Sequence, residues 1–262
     1  MRMEDLRAVY SIWLRDIIRY RRDRFRLVTS IVQPALYLFI FGNGLSKGLA
    51  IRGGLPSGMA PGTKNYIAFI FPGIIGMTLL FTSIFSAMSI IWDREFGFLK
   101  EVMVAPISRS AVAIGKALGG SSVAMMQGSI ILFFAPFVGV SYTLPTLLVL
   151  IPLMFLIAFS MTSLGIVVAA RMDSMEGFQM VMNFLVMPLF LLSGAMFPLS
   201  RLPAWLKMLT ILDPLTYGVD ALRGLILGPQ ASIYPLLMDV GIIAAFGAVM
   251  IAAAVAIFNK SQ

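Results

Sequence analysis

The sequence predicts an all-α polytopic membrane protein: six transmembrane helices preceded by one amphipathic helix. Of its 262 residues 59% are hydrophobic and the mean hydropathy is +0.93, whereas a soluble domain is about 45–50% apolar. Charged residues make up 12%, against about 25% in a soluble domain. Several runs also exceed the ~18 apolar residues with which a helix crosses a hydrocarbon core ~30 Å thick. The chain reads as a single unit over 1–262, with an interfacial helix at 1–26, a six-helix bundle at 27–258 and a short tail at 259–262.

Composition excludes much chemistry. Cysteine and histidine are both absent, which removes disulfides, thiol nucleophiles, the commonest general base and the commonest metal ligand. The net charge of +8 fits Lys and Arg held on the cytoplasmic side of a membrane, and no nucleic-acid partner is expected.

Each element has its reason in the residues. Near the start, Leu6, Val9, Tyr10, Trp13 and Ile17 fall at helical spacing, while Arg7, Ser11, Arg15, Arg19, Arg22 and Arg26 line another face. That pattern suits a helix lying in the membrane interface against anionic lipid headgroups. The first span covers about 27–45, kinked at Gln33-Pro34. Glycines and prolines between 46 and 65 make a loop. The second span, about 66–91, holds no charge, the third lies near 112–140 with Lys116 at its start, and the fourth covers about 146–170. A charged link at 171–176 leads to the fifth span at about 177–197, and the last covers about 233–258.

Six spans put both ends on one side. Eight Lys/Arg before Leu27, four within 92–116, Arg171 and Lys260 then share a side, leaving Lys47, Arg52, Lys64, Arg201, Lys207 and Arg223 on the other. This asymmetry places both termini in the cytoplasm. Inside the spans the sequence offers no Asp, Glu, Arg or His with which to carry a coupling ion. Lys116 and Asp239 sit near span ends, where snorkelling tolerates them. Gln33, Asn43, Gln127, Gln179 and Asn183 are the polar exceptions, expected to hydrogen-bond between helices. A P-loop needs G-x-x-x-x-G-K-[ST], and Gly115-Lys116-Ala117 fails at both ends of that motif. The chain is therefore expected to be neither an enzyme nor its own energy source.

One connection is unlike the rest. WDREFGFLKEVMVAPISRS, Trp92 to Ser110, concentrates Asp93, Arg94, Glu95, Lys100 and Glu101. Placing five charges at mid-membrane would cost roughly 12 kcal/mol at ~2.5 kcal/mol each, so the stretch stays outside. Phe96, Leu99 and Met103 recur at helical spacing beside Phe98 and Val102; Pro106 ends the segment, and Ser108 or Ser110 caps the next helix. From these residues alone, a plug for a partner's groove and a loop helix packed on its own bundle stand equal.

Two stretches carry a resemblance. REFGFLKEVMVAPISRSAVAIGKALGG, Arg94 to Gly120, resembles the segment between the second and third spans of ABC-2 type permeases. These are membrane subunits of bacterial ATP-binding-cassette exporters, including the daunorubicin-resistance group. LLSGAMFPLSRLPAWLKMLTILDPLTYGVDALRG, Leu191 to Gly224, looks like that family's end of span five with its external re-entrant region. The likeness implies a permease dimer, a homodimer before a heterodimer, above two copies of an ABC ATPase that hold ATP and Mg, with no cofactor on this chain. It implies an ATPase-docking, coupling helix at Asp93, Arg94, Glu95, Phe96, Gly97, Phe98, Leu99, Lys100 and Glu101, with the Leu6 to Tyr20 helix alongside as relay.

In the external region Asp213-Pro214 reads as N-cap and first helical residue. Asp220 and Arg223 are spaced for an ion pair on the polar face of the following helix. By the resemblance, Asp213, Pro214, Tyr217, Asp220 and Arg223 form an external gate or a structural closure. The function implied is export of an amphiphile (drug, lipid or lipid-linked molecule) across a bacterial cytoplasmic membrane. A polysaccharide exporter and a non-transporting scaffold are the alternatives.

Overall fold

The computed structural model describes residues 3–41, 44, 66–95, 108–199 and 202–260, and every regular element among them is helical. Helix α1 covers Met3–Arg22 and α2 Arg24–Leu36, which continues as a wider π-type turn over Tyr37–Phe41. Pro34 lies inside α2. Its missing N–H and its ring, which collides with the carbonyl four residues back, weaken the turn before it.

Helix α3 (Tyr66–Ser86) breaks at Ala87 and resumes as α4 (Met88–Glu95). Helix α5 is Arg109–Leu132, α6 Leu144–Ala169 and α7 Met175–Leu192. Short helices α8 (Ala204–Leu212) and α9 (Pro214–Leu227) precede α10 (Leu236–Lys260). Four stretches are long and apolar enough to cross a membrane: Tyr66–Glu95, Leu144–Ala169, Met175–Leu192 and Leu236–Asn259. The run expected as a span from 112 to 140 is shorter as a helix: α5 stops at Leu132, and a 3-10 turn at Ala135–Val138 completes it.

Helix α3 is the central post. Of its most apolar stretch 83% is buried, against 17% for α10. It packs on α5, α6 and α9, and α10 lies along α6. Such contact is possible because glycine stands where backbones meet. A Cβ on Gly73 would lie 2.1 Å from the Ala195 carbonyl oxygen, and one on Gly165 of α6 would lie 2.9 Å from that of Ile84, beside the break between α3 and α4. Polar side chains then bond across the seams. The Thr82 hydroxyl donates to Gln127 of α5, and the Ser160 hydroxyl lies 3.0 Å from the Ile243 carbonyl of α10. In a bundle held in lipid such bonds and close van der Waals packing replace the hydrophobic drive of a soluble core.

Helix α9 enters the bundle without crossing it. Its 14 residues span about 21 Å at ~1.5 Å per residue, short of the ~30 Å needed. Eleven of them are buried, lodged among α3, α6 and α10.

Gly73→Val is expected to cost about 1–3 kcal/mol or more through overpacking against Ala195. Gly241→Ala, where nothing lies within 4 Å, should cost nothing. Thermal unfolding of the purified protein, followed by size-exclusion of the heated sample, compares them; equal midpoints would refute this account of the Gly73 contact.

Candidate coupling site at the basic end of the bundle

The start of α1, the end of α4, the start of α5 and the end of α10 meet at one end of the bundle. The Ser108 amide donates to Asp5 Oδ1 at 2.9 Å, Ser108 caps α5 by accepting the Ala111 amide, and Arg109 donates to the Phe258 carbonyl at 3.4 Å. Serine is suited to that cap because its hydroxyl satisfies an orphan amide of the first turn.

Just inside lies a cluster of four charges from three helices. The Lys116 ammonium of α5, 4% exposed, is 2.7 Å from Asp93 Oδ2 of α4 and 3.6 Å from Asp16 Oδ1 of α1, and it donates to the Ser89 hydroxyl at 3.0 Å. Arg15 Nη2 donates to the same Asp93 oxygen at 2.9 Å. Burial pushes the Asp16 carboxyl above its ordinary value, while Lys116 and Arg15 pull it back. Lys116, expected to snorkel from a span end, is instead buried and paired.

Glycine again sets the spacing. Gly115 and Gly119, one turn apart on α5, face Ile12 and Asp16: a Cβ there would sit 3.0 Å from Ile12 Cβ and 2.7 Å from Asp16 Oδ2. Only at that approach can short Asp16 reach Lys116. The Trp13 indole N–H donates to the Ser122 hydroxyl at 3.0 Å, and the Arg19 guanidinium stacks 4.6 Å over the Trp92 ring. Asp16, Arg19, Tyr20 and Trp92 border a cavity of about 310 Å³.

The residues singled out from sequence separate here. Asp93 turns into the cluster. Arg94 turns to the link after α6, donating to the Met172 carbonyl at 2.7 Å, the Ala170 carbonyl at 3.2 Å and Asp173 at 3.0 Å. Glu95 is exposed at the end of α4; Phe96, Gly97, Phe98, Leu99, Lys100 and Glu101 lie outside the described residues. On α1, Leu6 and Tyr10 are exposed and Val9, Trp13 and Ile17 half-buried. The side of α1 against α5 is a second stripe of Asp5, Ile12, Asp16 and Tyr20, which the sequence reading passed over.

At the opposite end Asp213 caps α9 as expected, accepting the Leu215 amide at 2.9 Å and the Thr216 hydroxyl at 3.3 Å, with Pro214 as first helical residue. Burial pushes the Asp213 carboxyl up to about 7, only partly offset by those two bonds. The Tyr217 hydroxyl donates to the Ile211 carbonyl at 2.9 Å. The expected Asp220–Arg223 ion pair does not form. Asp220 Oδ2 accepts the Ile233 and Tyr234 amides at 2.7 and 2.9 Å, while Arg223 donates to the Gly194 carbonyl at 2.7 Å and covers the Phe69 ring at 4.3 Å. Two backbone amides outcompete one guanidinium that has its own carbonyl and ring.

A model of the ABC-2 type transporter family matches residues 7–227, which takes in the ion cluster and all of α9. The chain belongs to the ABC-2 type transporter family. Among its relatives, a "putative transport permease ycf38" of Cyanophora paradoxa is 30% identical over 220 residues, covering 83% of this chain and 73% of that protein. The "inner membrane transport permease YadH" of Escherichia coli K12 is 26% identical over 251 residues, 93% of this chain and 89% of its own. "Nodulation protein J" of Rhizobium leguminosarum bv. viciae is 24% identical, covering 83% and 82%. Permeases of this family work with ABC ATPase partners.

Removing one member of the permease's buried cluster leaves a charge uncompensated. Lys116→Met is expected to cost about 3–5 kcal/mol, and adding Asp16→Asn should recover part of it, because the two sites couple. Strictly additive losses in thermal unfolding would disprove that coupling. For Asp213 the sign runs against high pH. The folded permease keeps a proton that an ordinary carboxyl, near ~3.9, releases. Stability from this group is full below ~4 and is lost as pH rises through about 7. Asp213→Asn, which still caps, should flatten the fall of the midpoint between pH 5 and 8 relative to wild type; parallel curves would show that Asp213 does not titrate there.

Proposed function

We propose that this permease is the membrane subunit of an ATP-driven exporter, moving an amphiphilic molecule while a separate ABC ATPase holds ATP with Mg. The observation that carries this is the convergence at the basic end. Helices α1, α4 and α5 are locked by Lys116, Asp93, Asp16 and Arg15, and Arg94 ties the same end of α4 to the 170–173 link. The charged segment 94–101 leaves from that root. A force applied to the segment enters three helices and the α6–α7 link at once, which is what transmission from a partner requires. Phe96 and Phe98 are the anchors in the ATPase groove, and Glu95, Lys100 and Glu101 supply the charge that fixes register.

In this reading α2 with its π turn and α5 join the four apolar helices to make six spans. The basic end faces the cytoplasm with both termini, and α8 and α9 close the outer end through Asp213, Tyr217, Asp220 and Arg223. The permease works as a dimer, a homodimer in the simplest case. The outward face of α7 supports that: Gln179 and Asn183, one turn apart, are exposed among Met180, Phe184 and Met187. Amides at membrane depth are better satisfied by a second protomer or a substrate path than by lipid. Phe and Met along such a path suit amphiphiles, in keeping with the drug-export resemblance.

The test is co-purification with a candidate ABC ATPase subunit. Charge reversal at Glu95 and Glu101, or Phe96→Ala with Phe98→Ala, should abolish association and substrate-stimulated ATP hydrolysis while leaving the permease's thermal midpoint unchanged. Wild-type association and hydrolysis in both variants would remove the docking role.

A further inference from the structure

At the end opposite the ion cluster, α9, the connection over 228–235 and the first turn of α10 enclose a cavity of about 360 Å³. Asp239, Tyr234 and Ser232 border it, with Leu225, Ile233 and Pro235 as apolar wall. Asp239 is fully buried, 0% exposed, and neither carboxylate oxygen has a hydrogen-bond partner. Asp220 has one oxygen on the Ile233 and Tyr234 amides and the other unpartnered. The nearby cation, Arg223, is committed to the Gly194 carbonyl and the Phe69 ring. Among the described residues no lysine or arginine pairs with Asp239.

A buried carboxylate without donors is unfavourable unless a cation or a proton meets it. We propose that this cavity binds an organic ammonium group, with Asp239 as its counter-ion and Tyr234 as its aromatic wall. A hard divalent cation fits the lining poorly, since calcium takes about six to eight oxygen ligands and the wall here is mostly hydrocarbon. An alkylated ammonium sheds its water readily and is stabilised by a carboxylate together with aromatic faces. Tyr234 also lies beside Tyr217, ring centroids 5.4 Å apart. The volume falls within the ~300–1,000 Å³ of organic-ligand sites. The ammonium can belong to a phospholipid headgroup or to a cationic amphiphile in transit; the chemistry of recognition is the same. The inference concerns binding by the permease alone and does not rest on the docking reading above.

Scintillation proximity with radiolabelled choline, on the full-length permease in maltoside micelles, measures the site directly. Saturable binding is expected, and Asp239→Asn should weaken it at least about tenfold without lowering the thermal midpoint, since it removes an unpaired charge at equal volume. Tyr234→Leu should weaken it less. Two further arms separate the sources. Phosphatidylcholine retained by wild type but not by Asp239→Asn, read by native mass spectrometry, identifies a lipid headgroup. An ammonium amphiphile that stimulates ATP hydrolysis by the wild-type complex but not by the variant identifies cargo. Absence of saturable choline binding, which is the outcome if Asp239 simply carries a proton beside an empty cavity, overturns the proposal, as does equal affinity in Asp239→Asn.

Discussion

Lys116 sits at 4% exposure with Asp93 at 2.7 Å and Asp16 at 3.6 Å, and each of these three belongs to a different helix. An ammonium removed from water is tolerable only while its partners hold it. None of α1, α4 and α5 can therefore slide far without exposing an unpaired charge to a low-dielectric interior. Apolar residues in place of all four charges would pack the same space without that penalty, whereas removing the lysine alone strands its acids. What the ion cluster adds is geometric coupling: the helices move together or the cluster breaks. Arg94 extends the constraint to the link after α6 through backbone carbonyls, so four elements share one junction.

Such a junction needs helices in near contact, and that explains where the small residues fall. Asp16 has one methylene before its carboxyl and reaches Lys116 only because Gly115 and Gly119 let α1 lie against the α5 backbone. Gly165 in the same way lets α6 lie against the break after Ser86, and beyond that break Trp92 and Asp93 meet Arg19 and Arg15 of α1. Spacing by glycine and locking by charge are two halves of one design. The first would be loose alone, and the second would be out of reach.

Hydropathy made the apolar helices legible, since a run with no charge, such as 66–91, has no other stable environment. The caps at Ser108 and Asp213 were legible because each follows from one residue's local stereochemistry. The ion cluster was not. Lys116 and Asp93 stand 23 positions apart and Asp16 another 77 away, and nothing local says which acid a buried lysine meets. A signal did exist: the Gly115-x-x-x-Gly119 spacing, followed by Gly120, Ser121 and Ser122, marks a face made for another helix, and the Asp5, Ile12, Asp16, Tyr20 stripe on α1 supplies one. Reading α1 only for its stripe of Leu6, Val9, Tyr10, Trp13 and Ile17 hid it. The Asp220–Arg223 pair failed for a related reason. Helical spacing brings two side chains near each other but cannot weigh rivals from distant sequence, here the amides of Ile233 and Tyr234.

The two ends of the bundle treat buried charge in opposite ways. At the basic end two acids meet two bases: Asp93 lies at hydrogen-bonding distance from both Lys116 and Arg15, and Asp16 at 3.6 and 3.8 Å from them, so the charges balance within the chain. At the other end Asp213, Asp220 and Asp239 outnumber Arg223, which has turned to a carbonyl and a ring. A carboxylate there satisfied by backbone amides, as Asp220 is on one oxygen, serves architecture by pinning the 233–234 turn onto α9. Asp239 has no such bond, and its position at the first turn of α10 rules out an architectural explanation through capping, because it bonds to no amide at all. A residue that neither caps nor pairs stabilises nothing in the chain by itself.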